Sequence, residues 1–271
     1  MIYGIIVAIV LGVTVGSLVP GITAGMIATL VIGAILAFPT VMFIVGIIES
    51  FLIALFYNQL VPRIGAIKLG FEELKEIKNV PVVPFALMTA ALVGLLTFLI
   101  MLILGPLFAF GIQSAALASA GAADIPGLAS LGAFGLIGLV ILVVGVPIGI
   151  FISVFISTAI MAFLYNVLAP KIGGIELNFT NVAGNFFEIE SIPVVKFALI
   201  TTLVLTLFEL IVGVISLILA IVMGTSFVSG LIDLVVRVVS YLIIGFILYA
   251  ITAFLYNFLR PKIGGIKLEI E

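Results

Sequence analysis

Cysteine, histidine and tryptophan are absent from the 271 residues of this chain, and charged residues make up only 8% of it. Without cysteine there is no disulfide and no thiolate cluster. Without histidine there is no imidazole metal ligand, no axial haem histidine and no histidine-based triad or dyad. The sequence therefore assigns no catalytic, metal-binding or cofactor-binding residues, and an enzyme is the poorest of the function classes considered below. A net charge of −2, with no long basic run, gives nucleic acid nothing to bind.

Hydrocarbon fills the chain instead: 65% of the residues are hydrophobic and the mean hydropathy is +1.59. That composition lies outside the range of soluble domains. Uncharged runs exceed the roughly 20 residues a helix needs to cross a bilayer core. They lack the polar–apolar alternation of barrel strands. An all-α transmembrane bundle is predicted, with the lipid bilayer as its first partner. Residues 1–19 have neither the basic start nor the cleavage site of a signal peptide and read as a retained first span.

One polar phrase interrupts the hydrocarbon three times: "LFYNQLVPRIGAIKLGFEE", "FLYNVLAPKIGGIELNFT" and "FLYNFLRPKIGGIKLEIE". The aligned positions are Tyr57, Asn58, Pro62 and Gly65; Tyr165, Asn166, Pro170, Gly173 and Gly174; and Tyr256, Asn257, Pro261, Gly264 and Gly265. Ala66 replaces the second glycine in the first copy. Each copy reads as a helix end, a turn and a short strand. Tyr suits the headgroup level, and Asn tolerates the left-handed conformation that closes a helix. Pro stops the helix from resuming, the following Arg63, Lys171 or Lys262 snorkels to phosphates, and glycine permits the turn. Alternating apolar residues, Ile67 and Leu69, Ile175 and Leu177, and Ile266, Leu268 and Ile270, predict the strand.

A second phrase opens the later repeats: "LKEIKNVPVVPFALMTA" and "FFEIESIPVVKFALITT", with Pro81 and Pro193 in register. The latter alternates as a strand, whereas the former also fits a helical turn. The repeating unit is an opening strand, two spans and a closing strand. Three tandem two-span units follow, at residues 1–69, 71–178 and 185–271, the first without an opening strand. The strands are predicted to pair in one small cytoplasmic sheet, which leaves fewer exposed edges.

These phrases resemble a family of small prokaryotic two-span membrane domains that carry an "I..(D/V)P" opening and a "YN…GGI…L" exit. The resemblance covers the ends of the later two units and the exit of the first. It implies a fold and a membrane location but no activity.

All Lys and Arg except Arg237 lie in the opening and exit segments, which the positive-inside tendency places in the cytoplasm together with both termini. About six spans result, with seven or eight as alternatives. The runs Gly21–Leu60 and Leu131–Leu168 would each make roughly 55–60 Å of helix. Pro39 and Pro147 predict either a kink in one long helix or a re-entrant segment there. The almost uncharged connection from Gly111 to Ser130 reads as an ordinary flexible link.

Four ionisable residues interrupt the apolar runs: Glu49, Glu209, Asp233 and Arg237. At membrane depth each is a functional candidate. Asp233 and Arg237 have the i,i+4 spacing of a helical pair, and Glu209 is predicted to turn toward the third unit's return helix, paired with Arg237 or hydrogen-bonded inside the bundle. Two function classes remain: a non-enzymatic scaffold or complex subunit, expected in a homo-oligomer or membrane complex, and a transporter or channel for a small ion or solute using these acids.

Overall fold

The computed structural model describes residues 24–72, 75–120 and 135–269. The chain divides after Leu60 into two compact units. Five described helices contain stretches long and apolar enough to cross a membrane: Thr40–Ile64, Val82–Gly111, Gly135–Ile172, Val194–Val222 and Phe227–Ile263. The protein is thus mostly helical and suited to a bilayer. The span predicted over residues 1–19 lies outside the described residues. The first described helix, α1 (Ala24–Ile64), runs 41 residues and stays helical across position 39, which fits the long-helix alternative and not a re-entrant segment.

The second unit contains β1 (Gly70–Glu72), β2 (Glu76–Asn79), α2 (Val82–Ala120), α3 (Gly135–Ile172), β3 (Ile175–Glu176), β4 (Asn178–Ala183), β5 (Phe186–Ser191), α4 (Val194–Val222), α5 (Phe227–Ile263) and β6 (Lys267–Glu269). Helix α2 packs on α3, α4 packs on α5, and α3 meets α4. Small residues make the closest approaches. Ala86, Ala90, Ala162 and Ala253 are buried, Gly213 lies against Leu234, and Gly245 against Thr202. Large side chains such as Ile103, Phe110, Leu136 and Phe254 point outward. Lipid tails are as apolar as leucine, so helices gain little by hiding large side chains from them. Close packing through small residues joins the helices instead. In water so much exposed hydrocarbon would cause aggregation.

Helix α3 resolves the long run around Pro147. It is continuous, but Ile141–Gly145 forms a π-helical turn shortly before that proline. Proline lacks an N–H and crowds the carbonyl four residues back, and a wider turn accommodates both defects. The predicted kink is therefore a bulge within one helix. Helix α2 continues to Ala120, so the connection predicted from Gly111 is helical over its first part.

The strands form two antiparallel sheets, ordered β1-β2-β3 and β4-β5-β6, rather than the single sheet predicted. Each is centred on an opening strand. It pairs on one side with its own closing strand and on the other with the tail of the preceding exit segment. Thus Ile77 pairs with Ile175, and Phe187 with Leu268. The chain crosses between sheets at buried Leu177, and Phe71 of β1 meets Phe179 of β4 edge-on at 5.7 Å. The ambiguous first opening phrase is a strand from Glu76. Ile67 and Leu69 are not in a strand, and pairing begins only at Gly70. A core of Ile77, Tyr165, Ala169, Leu177, Ile189, Ile200 and Val204 joins sheets to helix ends.

Candidate functional site

The repeated Tyr-Asn pair belongs to this junction. Tyr165 is buried, not spread at a headgroup surface, and its hydroxyl makes two bonds. It donates to Ile77 O at 2.5 Å and accepts from Ile175 N at 2.8 Å. The amide of Asn166 pairs with Val80 twice: Val80 N donates to Oδ1 and Nδ2 donates to Val80 O, each at 2.8 Å. The third copy repeats the arrangement. Tyr256 Oη donates to Ile189 O at 2.6 Å and accepts from Ile266 N at 3.2 Å, while Asn257 bonds both main-chain groups of Ile192 at 2.8 Å. The tyrosine bridges opening and closing strands, and the asparagine secures the last residue before Pro81 or Pro193.

Neither asparagine closes its helix, and neither proline ends it. Helices α3 and α5 run past Pro170 and Pro261 to Ile172 and Ile263, and α1 runs past Pro62 to Ile64. Closure falls to the next residue, because Gly65, Gly173 and Gly264 hold φ of 89°, 90° and 85°. Only glycine adopts that backbone without strain. The second glycine has a different duty. A Cβ at Gly174 would strike Ile77 O and lie 2.8 Å from Tyr165 Oη, and one at Gly265 would lie 2.8 Å from Ile189 O.

An acidic residue completes each junction, and sequence reading had passed over it. Glu76 accepts the Gly174 N–H and forms an ion pair with Lys78 at 3.1 Å. Glu188 accepts Gly265 N at 3.1 Å and Arg260 Nε at 2.9 Å. Both stand five residues before the opening proline, in Glu-Ile-x-x-(Val/Ile)-Pro. That shared spacing was the available signal. The Gly174 N–H, foremost, and Lys78 hold the Glu76 carboxyl below its ordinary range, against a smaller opposing effect of burial.

The side chains of Tyr57 and Asn58 make no hydrogen bond among the described residues. Among the described residues, the first motif thus shares the glycine closure but shows no junction.

The intramembrane candidates fall into two places. Glu49 is exposed on α1. Between α4 and α5, Arg237 Nη1 lies 3.7 Å from Glu209 Oε2, and Nη2 lies 3.8 Å from Asp233 Oδ2. The Glu209 side chain is 13% exposed and that of Asp233 69%, so the guanidinium links an inner carboxylate to an outer one. On the Glu209 helix, the hydroxyls of Thr202 and Thr206 are buried without a hydrogen-bond partner among the described residues. No group of three potential metal ligands occurs among the described residues.

No protein-family model, curated protein or solved structure matches the chain.

Proposed function

We propose that this chain is a non-enzymatic integral membrane scaffold or complex subunit. The observation that carries the reading is the use made of its most repeated polar side chains. Tyr165, Asn166, Tyr256 and Asn257 spend their hydrogen-bonding groups on main-chain atoms of the opening and closing strands. Groups so engaged hold architecture and leave nothing to contact a substrate. The wide apolar surface of the helices supplies area for other membrane chains or further copies, as well as for lipid.

Three tandem two-span units, with the strands and both termini in the cytoplasm, complete the proposal. It includes the resemblance to prokaryotic two-span domains and requires no cofactor, metal or nucleic acid. The test is extraction into lipid nanodiscs followed by native mass spectrometry. A stoichiometric partner or a defined homo-oligomer is expected. A bare monomer at all protein-to-lipid ratios would overturn the scaffold reading.

The second reading, transport of a small ion or solute, draws on Glu209, Arg237 and Asp233, with the buried Thr202 and Thr206 hydroxyls, unpartnered among the described residues, on the same helix as Glu209. Proteoliposomes decide it: flux abolished by Glu209→Gln in a folded protein supports transport, and no flux in the unsubstituted protein removes it.

A further inference from the structure

We infer that the residue after the helix-closing glycine decides whether an exit segment takes an opening strand, and that Ala66 shuts the first exit segment to one. At both exits that take a strand, this residue is glycine, and a main-chain carbonyl of that strand stands over it. Ile189 O would lie 2.8 Å from a Cβ at Gly265, and Ile77 O is nearer still at Gly174. These carbonyls cannot swing aside as a side-chain tip could. Each is held by a tyrosine hydroxyl, the same strand is held again by its glutamate on the glycine N–H, and the residue just after the strand is held by asparagine.

At position 66 the methyl group stands where that carbonyl would go. The helix end itself is unaltered, since Gly65 has the same positive φ as Gly173 and Gly264. What differs comes immediately afterwards. Residues 67–69 form no strand, whereas Ile175–Glu176 and Lys267–Glu269 do. The tail of the segment still works, because β1 pairs with β2. Only the part that would receive an opening strand is shut.

The excluded ligand has a defined chemistry: an extended Glu-Ile-x-x-(Val/Ile)-Pro segment whose carboxylate binds the N–H after the closing glycine. An open acceptor of this kind is a template for strand addition, through which copies could capture one another's opening strands. Ala66 removes one such acceptor from the chain. This role stands whether or not the protein serves as a scaffold.

The test uses the full chain in lipid nanodiscs and a fluorescent, acetylated peptide with the sequence of residues 186–193, FFEIESIP. The Ala66→Gly variant should bind it saturably and about tenfold or more tighter than the unsubstituted protein. A peptide with alanine at its Glu188 position should lose that gain. Equal binding to both proteins overturns the inference, as does slow amide exchange at residues 67–69 of the unsubstituted chain. Should Ala66→Gly fail to fold, the converse variant decides. Gly265→Ala should bring exchange at Ile266 and Leu268 to loop rates while Ile175 and Leu177 stay protected, and unchanged protection at Ile266 and Leu268 refutes the inference.

Discussion

Replacing Tyr165 with Phe removes one oxygen and strands two main-chain groups, Ile77 O and Ile175 N, in a buried junction. A buried polar group left unsatisfied costs about 1–3 kcal/mol, more than the net worth of the bond itself. Tyr165→Phe should therefore lower unfolding free energy in detergent by about that much per stranded group. Tyr57→Phe, with no such partner among the described residues, should change it little. The same junction predicts acid sensitivity. The carboxyl of Glu76 has its folded pKa below its unfolded one, because the Gly174 N–H and Lys78 favour the charged form. Its contribution is complete above the ordinary carboxylate range and disappears as pH falls through the folded value. Thermal unfolding measured from neutral to acidic pH should show Glu76→Gln losing its deficit at the acid end. A constant deficit would show that the charge of Glu76 contributes nothing.

Between elements, the closing strands should exchange slowly at Ile175, Leu177 and Ile266. Their amides donate to Tyr165 Oη, Lys75 O and Tyr256 Oη respectively. Exchange as fast as in a free loop would contradict the two sheets. Much of this architecture was legible locally: apolar runs longer than a bilayer, a turn at Gly-Gly, strand alternation at Phe187 and Ile189. The partners of Tyr and Asn were not legible, because Val80 lies 86 residues before Asn166 and Ile77 lies 88 before Tyr165. Local rules assigned them instead to headgroups and helix closure. Glu76 was hidden for the same reason, since its glycine partner is 98 residues away. The charge cluster between α4 and α5 offers a sharper energetic test. Arg237→Leu should destabilise by about 3–5 kcal/mol, since it leaves a largely buried Glu209 carboxylate without its cation. Replacing Glu209 and Arg237 together with leucine should recover most of that loss. A double variant as unstable as the single one would mean that packing, not charge, sets the effect.

For the whole molecule, the bilayer acts as a solvent that fixes where each polar junction can lie. Sheets, with their charged edges, cannot enter hydrocarbon, and every junction ties an opening strand to the far end of the same helical hairpin. The start of α2, the end of α3, the start of α4 and the end of α5 must then share one membrane face. The turn between α4 and α5 must occupy the other, because the 29 residues of α4 extend about 43 Å, beyond the roughly 30 Å of a bilayer core. A chain without cysteine makes this directly measurable. Single substitutions Lys171→Cys and Lys262→Cys, both at exposed positions, should react with a membrane-impermeant maleimide from the same side. Met223→Cys, 85% exposed at the end of α4, should react only from the opposite side. In the proposed orientation, with the Lys- and Arg-rich side in the cytoplasm, they should label in inverted vesicles and stay protected in intact cells. Labelling of Lys171→Cys and Lys262→Cys from opposite sides would separate the two sheets across the membrane, an arrangement incompatible with the Phe71–Phe179 contact and the shared core of Leu177, Ile189 and Ile77.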